Sequence, residues 1–330
     1  MKVAFFSTKS YDKDYFNKFN EDGQHELTFF EVPLNQQTAT LTTGFEAICV
    51  FVNDIIDENT IEILDKNRIK VIALRCAGFN NVDLKAAHDK GIKVVRVPAY
   101  SPESVAEHAI ALILTLNRKT HKAYNRVREG NFSIENLTGF NLYGKTVGVI
   151  GTGLIGAAFC RIMLGFGCKV LAYDIRKSAE LIEKGVDYSS LDEVLIQSEI
   201  ISLHCPLNPD TAHIIDEAAI SKMKDGVMVI NTSRGALISA PDAIEGLKTG
   251  KIGYLGIDVY EQEADLFFQD LSESVIQDDV ISRLISFPNV LITGHLGFFT
   301  REALEEIATI TLNNLSQFEQ KKELVNEVKS

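Results

Sequence analysis

The run Val147-Gly148-Val149-Ile150-Gly151-Thr152-Gly153-Leu154-Ile155-Gly156 constrains the fold more than any other stretch of the chain. Its first four residues suit a buried parallel strand. They lead straight into G-x-G-x-x-G, and an apolar helical pattern over residues 157–166 follows. Gly151 permits the tight turn, Gly153 lets the backbone come close to a pyrophosphate, and Gly156 lets the helix pack on the strand. The helix N-terminus, with Leu154 and Ile155 in its first turn, then faces the phosphates. Lys169–Tyr173 reads as the next strand and ends on Asp174. A carboxylate there suits the ribose hydroxyls of NAD and repels a 2′-phosphate. Strand, glycines, helix, second strand and terminal acid together specify dinucleotide binding.

Length and composition set the frame. A chain of 330 residues accommodates two domains with buried cores. Its net charge of −12 argues against a nucleic-acid partner, which calls for a basic face. No run approaches the roughly 18 apolar residues of a membrane span. Residues 1–7 read as a first strand rather than a signal peptide. The five cysteines include no C-x-x-C pair, so reduced, mostly buried thiols and a cytoplasmic setting are expected. No metal site is expected either, because H-E-x-x-H and clustered Cys/His are missing from the sequence.

Strand patterns at residues 2–6, 27–31, 47–52, 71–75 and 94–97 alternate with helical patterns at 11–20, 58–66 and 84–90. That alternation predicts a parallel sheet with crossover helices. Lacking a phosphate fingerprint, this block is the better substrate-facing domain. Ser101 and Pro102 open a helix read as continuing to about residue 128, a connector between domains. Beyond Asp174, strands at 200–203, 227–231, 255–259 and 290–293 alternate with helices at 191–197, 217–222 and 241–248. Residues 263–283 read as an acidic excursion, and 301–320 as a final helix that returns to the first domain. The fold class is therefore α/β, with two Rossmann-like or flavodoxin-like parallel-sheet domains and a cleft between them. Residues 1–100 plus 298–330 form a discontinuous substrate domain, and 101–297 the NAD-binding domain.

Ligands of such sheets sit at the carboxyl ends of strands. Three polar segments lie there: Asn231-Thr232-Ser233-Arg234-Gly235, Asp258-Val259-Tyr260-Glu261-Gln262-Glu263 and Thr293-Gly294-His295-Leu296-Gly297. An arginine, an acid and a histidine suffice for reversible hydride chemistry on a 2-oxo acid. The arginine holds the carboxylate or polarises the keto oxygen, and imidazolium gives that oxygen a proton. On composition Glu261 and Glu263 are equally good partners for His295. His25, His88, His121 and His213 lie in polar surroundings and read as solvated, while His108 reads as a hydrogen-bonded core residue.

Set in order behind the glycine run, these segments resemble the D-2-hydroxyacid dehydrogenases, most of all the fermentative bacterial lactate enzymes. The similarity extends to Arg75-Cys76-Ala77-Gly78-Phe79-Asn80-Asn81-Val82-Asp83, Val97-Pro98-Ala99-Tyr100-Ser101-Pro102 and Leu203-His204-Cys205-Pro206-Leu207. The resemblance implies that Arg234 binds the substrate, His295 is the acid/base and Glu263 its carboxylate partner. It implies that Ala77 and Gly78 hold the substrate carboxylate with Tyr100 nearby, and that Asp174 takes the adenine ribose. His204, Cys205, Pro206, Thr232 and Asp258 would line the cofactor groove. Related formate dehydrogenases carry glutamine where Glu263 stands, which argues against formate.

Phe51 falls where the lactate enzymes resemble one another in an aromatic cap, so pyruvate is the expected substrate, with Phe298 and Phe299 narrowing the site. The chain departs from the family pattern at Leu296-Gly297, where a polar residue and alanine are usual. The alternative is therefore a larger 2-oxo acid, such as 2-oxoisocaproate or phenylpyruvate. Arg176 could reach a 2′-phosphate, but Asp174 should prevail. A remote alternative is a non-catalytic, NAD-sensing scaffold, which the intact Arg234, Glu263 and His295 disfavour. The family also implies a homodimer or homotetramer paired through the NAD domain near residues 101–128.

Overall fold

Short apolar runs alternating with helices become strands of parallel sheets. The computed structural model describes residues 1–20, 23–262 and 266–329. The chain divides into two units, Met1–Ser101 with Phe299–Ser330, and Pro102–Phe298.

The first unit runs β1 (Lys2–Phe5), α1 (Ser10–Phe19), β2 (Glu26–Phe29), β3 (Ala47–Val50), α2 (Glu58–Lys66), β4 (Val71–Leu74), α3 (Leu84–Asp89) and β5 (Lys93–Arg96). Its strands are parallel in the order β2-β1-β3-β4-β5, the flavodoxin-like arrangement. β3 and β4, written Ala-Ile-Cys-Val and Val-Ile-Ala-Leu, are buried along their whole length because helices cover both faces of a parallel sheet. Asp57 and Asp83 cap α2 and α3 by accepting from Thr60 N at 2.8 Å and Ala86 N at 2.9 Å. The C-terminal helix Arg301–Glu319 belongs to this unit and buries Leu304, Ile307, Leu312 and Leu315. Beyond it the chain runs antiparallel beside β5, with Arg96 N donating to Asn326 O at 3.2 Å and Val328 N to Val94 O at 2.8 Å. That pairing covers the β5 edge. His25 is 3% exposed, not solvated: its Nε2 lies 3.0 Å from Ser316 Oγ on the C-terminal helix. Polar neighbours in sequence concealed a cover supplied from the far end of the chain.

The second unit runs α4 (Pro102–Arg118), α5 (Thr120–Arg128), β6 (Thr146–Ile150), α6 (Leu154–Gly165), β7 (Lys169–Tyr173), α7 (Ala179–Glu183), β8 (Asp187–Tyr188), α8 (Leu191–Gln197), β9 (Ile200–Leu203), α9 (Glu217–Lys222), β10 (Val227–Asn231), α10 (Ala240–Thr249), β11 (Ile252–Ile257), α11 (Asp279–Ser286) and β12 (Val290–Ile292). Its seven parallel strands lie in the order β12-β11-β10-β9-β6-β7-β8, a Rossmann sheet with one strand added beyond the usual six. Side chains alternate between two cores. Val147, Val149, Met228 and Ile230 pack with α4 and α6 on one face. Ile150, Ile201, Val227 and Val229 pack with α8, α9 and α10 on the other.

Two expectations need correction here. The single helix expected over residues 101–128 is two helices, divided at Lys119, which takes a left-handed φ of 51°. Leu116 and Asn117 are the last buried residues of α4, whereas α5 buries none, so no apolar stripe holds the second segment to the first axis. The acidic stretch after residue 263 ends in α11, capped by Asp278 and anchored by buried Ile281 and Leu284. Its acidic flanks hid the apolar pair.

Asn117 ties the helix end to the following loop. Its Nδ2 donates to Phe140 O at 2.8 Å and its Oδ1 accepts from Phe140 N at 2.7 Å. Asn117→Ala leaves both backbone groups without their side-chain partner, and we expect it to cost roughly 2–3 kcal/mol in urea unfolding. A loss under about 0.5 kcal/mol would mean that solvent replaces the amide freely.

Candidate active site

Strand order reverses between β6 and β9, and the glycine loop sits at the carboxyl end of β6. Gly151 has φ +93°, and a Cβ there would come within 2.5 Å of Cys205 N and 2.7 Å of Cys205 Cα. A Cβ on Gly156 would lie 2.0 Å from Gly151 O. Both positions are closed to any side chain, whereas a Cβ on Gly153 meets nothing within 4 Å. The loop is thus tight against the protein and open on its outer face. Gly153 is the N-cap of α6 and brings no capping side chain, so the first-turn N–H groups around Leu154 and Ile155 suit an anion.

Asp174 ends β7 and is oriented by this loop. Its Oδ2 accepts from Thr152 N at 2.6 Å and Thr152 Oγ1 at 3.2 Å, and its Oδ1 from Arg176 N at 2.8 Å. Arg176 and Ile175 are exposed beside it. His204 lies behind the loop: its Nε2 is 2.8 Å from Ser202 Oγ, and its ring centroid lies 4.8 Å from that of Phe159 of α6, the two planes tilted by 43°. Burial pushes this imidazole down to about 3, so it is neutral. Cys205 is buried, and its carbonyl accepts from Ser233 Oγ at 2.7 Å. The Pro206 carbonyl accepts from Thr211 Oγ1 at 2.6 Å.

At the carboxyl end of β10, Thr232 Oγ1 is buried with no hydrogen-bond partner among the described residues. An orphaned hydroxyl and an open glycine cradle at this end of the sheet fit an extended polar ligand such as a dinucleotide. Arg234 follows, half-buried, with Nη1 donating to Ser233 O at 2.7 Å and its own carbonyl accepting from Asn231 Nδ2 at 2.8 Å. A Cβ on Gly235 would fall 2.0 Å from Tyr260 C and 2.3 Å from Glu261 N. The arginine turn and the segment after β11 therefore touch backbone to backbone. Glu261 is engaged by His213, Oε1 to Nε2 at 2.6 Å. Glu263 lies outside the described residues.

Asp258 is the most heavily bonded group of the site. It is 1% exposed. Its Oδ1 accepts from Leu296 N at 2.8 Å and lies 3.1 Å from His108 Nε2; Oδ2 accepts from Gly297 N at 2.8 Å. Thr293 Oγ1 also donates to it, and His108 Nε2 is 3.0 Å from that hydroxyl. Burial alone would raise this carboxyl. Hydrogen bonding and charge from His108, with the bonds from Thr293 and Leu296 N, outweigh burial and hold it below the usual range. The Asp258 carbonyl accepts from His295 N at 2.9 Å. His295 itself takes a left-handed φ of 58°, a strained choice for a histidine, with Phe268 and Phe298 rings at 5.8 and 6.4 Å. One buried carboxylate thus fixes the histidine turn from both sides. Nothing in the spacing of Asp258 reveals this; His108 is the hydrogen-bonded residue expected from its place in an apolar helix, but its partner could not be read from the sequence.

The remaining expected residues lie in the first unit. Ala77 O accepts from Arg96 Nη1 at 2.6 Å, and Cys76 Sγ donates to Gly78 O at 3.3 Å. Both residues, like Tyr100, are half-buried. Phe51 is buried just past β3.

Residues 110–297 match the NAD binding domain of the D-isomer specific 2-hydroxyacid dehydrogenases, and the chain belongs to that family. It is 56% identical to D-lactate dehydrogenase of Escherichia coli K12 over 328 residues, covering 99% of this chain and 100% of that one. The apo-structure of the E. coli enzyme superposes with a TM-score of 0.92 at 53% identity, over 99% of this chain and 100% of that one. The pyruvate reductase of Chlamydomonas reinhardtii superposes at 0.95 with 45% identity, over 99% and 98%.

Neutral His204 makes a measurable demand on pH. Its folded value near 3 lies below the ordinary value of about 6.5, so the unfolded chain binds the extra proton between these limits. Stability from this group is complete above about pH 6.5 and drains away as pH falls toward 3. We expect His204→Gln to flatten the acid limb, the native protein losing up to roughly 1.4 kcal/mol more per pH unit below pH 6. Parallel limbs in urea titrations would refute the assignment.

Proposed function

We propose that the protein is an NADH-dependent D-lactate dehydrogenase that reduces pyruvate reversibly in the cytoplasm. The observation that carries this reading is the placement of Arg234 and His295 at the carboxyl ends of β10 and β12, each held in a turn packed on the segment after β11. The names of the E. coli and Chlamydomonas relatives support lactate and pyruvate as the substrate pair.

Bound NADH supplies the hydride. Arg234 pairs with the 2-oxo acid and withdraws charge from its keto group. His295 as imidazolium donates its proton to the carbonyl oxygen as C2 gains hydride, and as neutral imidazole takes it back from the hydroxyl of lactate. Glu263 is the carboxylate that orients this ring. Its neighbour Glu261 is already paired with His213, which leaves Glu263 the better candidate. Ala77 and Gly78 receive the substrate carboxylate near Tyr100, and Phe51 and Phe298 restrict its side chain. On the cofactor side, Gly151, Gly153 and Gly156 with the Leu154 and Ile155 amides take the pyrophosphate. Asp174 takes the adenine ribose, already oriented by Thr152. Thr232 offers its unpartnered hydroxyl. His204, Cys205, Pro206 and Asp258 form the groove's supporting wall.

The protein is read as a homodimer or homotetramer paired through the NAD domain. Exposed Tyr124, Phe132, Ile134 and Tyr143, 60–82% accessible, support a partner on that side. Five free, buried cysteines suit a reducing compartment.

His295→Ala should lower kcat for pyruvate reduction by at least a hundredfold or so while leaving NADH binding intact. Survival within about tenfold at neutral pH would remove His295 from its role. Asp174→Ala should narrow the preference for NADH over NADPH by about tenfold, read from kcat/KM for the two coenzymes. Side by side, pyruvate should exceed 2-oxoisocaproate and phenylpyruvate in kcat/KM. A bulkier winner would keep the family and discard the Phe51 argument.

A further inference from the structure

The first unit buries a charge cluster that the reaction does not use. Arg75 is 2% exposed, Asp12 5% and Asp54 0%. Arg75 Nε donates to Asp12 Oδ1 at 3.1 Å and Nη2 to Ser7 O at 2.9 Å, while Nη1 has no hydrogen-bond partner among the described residues. The guanidinium carbon lies 4.9 Å from the centroid of the Phe51 ring, within cation–π range.

The bonds of Asp54 converge on the same residue. Its Oδ2 accepts from Phe51 N at 2.6 Å. Its Oδ1 accepts from Leu34 N and Ser7 Oγ, both at 2.7 Å. Phe51 O in turn accepts from Asp54 N at 3.2 Å and from Asn81 Nδ2 at 2.8 Å, and Asn81 also donates to Asp54 O at 2.9 Å. Both backbone groups of Phe51 and one face of its ring are therefore fixed by polar partners. Buried ion clusters contribute little net stability beside apolar packing of the same volume. What they supply is direction, and here the directional bonds meet at residues 51–54.

We propose that Asp54, Arg75 and Asn81 are positioning residues for substrate size, holding Phe51 in the single placement that favours a methyl side chain over longer ones. This rests on the reading of Phe51 given above. Phe51 alone supplies an aromatic surface; the three polar residues make that surface immobile, and an immobile wall rejects a longer chain where a mobile one yields.

The test compares native protein with Phe51→Ala, Asp54→Asn, Arg75→Lys and Asn81→Ala, measuring kcat and KM for pyruvate and 2-oxoisocaproate. Phe51→Ala should raise the ratio of kcat/KM for 2-oxoisocaproate to that for pyruvate by roughly tenfold or more. Each positioning variant should move the ratio the same way by about fivefold, through KM for pyruvate with kcat within about threefold. Asp54→Asn added to Phe51→Ala should change the ratio no further, because its effect passes through the ring. Asn81 is only half-buried, so Asn81→Ala decides the matter should the two charge variants not fold. An unchanged ratio in Phe51→Ala would overturn the reading of Phe51 and this proposal with it. A shift in Phe51→Ala with ratios within twofold in the folded positioning variants would overturn this proposal alone.

Discussion

The histidine turn of the second unit depends on a carboxylate that offers little to solvent. Asp258 takes backbone amides from Leu296 and Gly297 and a hydroxyl from Thr293, meets His108 of α4, and accepts the His295 amide on its carbonyl. The left-handed conformation at His295 would not persist on its own. Here it is over-determined, so the strain becomes orientation. The same contact explains the glycine at position 297, where a Cβ would sit 3.2 Å from Asp258 Oδ2 and 3.5 Å from Val105. A glycine there relaxes crowding around the anchor.

Features encoded locally were legible in the sequence. The glycine run reads directly because two of its glycines answer clashes that elementary geometry imposes, Gly151 at Cys205 and Gly156 at the loop's own carbonyl, while Gly153 keeps the outer face open. The central strands read directly because a sheet covered on both faces favours apolar runs. Features encoded by contact at long range were not legible. His25 has polar neighbours in sequence and reads as solvated, yet Ser316 covers it. Asp258 looks like one acid among several after β11, and its partners come from α4 and the turn after β12. The break at Lys119 was hidden for a different reason: helical propensity continues past it, and only the loss of a buried face ends α4.

The two units handle polar burial in related ways. In each, one or two carboxylates are sunk at the carboxyl end of a sheet and occupied by backbone amides of the turn above. Asp258 does this for the histidine turn and Asp54 for the turn carrying Phe51. A carboxylate accepts several amides at once in defined directions, which an apolar side chain cannot do.

The C-terminal helix and the strand-like tail beside β5 impose an order on biosynthesis. The first hundred residues emerge from the ribosome with a sheet edge open and His25 uncovered, since their cover is encoded after residue 300. The intervening unit, Pro102–Phe298, is made whole before that cover exists. It is therefore the first part of the chain able to fold completely, while the block that begins the protein is the last to close. During that interval the nascent chain carries an unpaired edge, and chaperone engagement or premature release should bear on the amino-terminal sheet rather than on the glycine-loop unit.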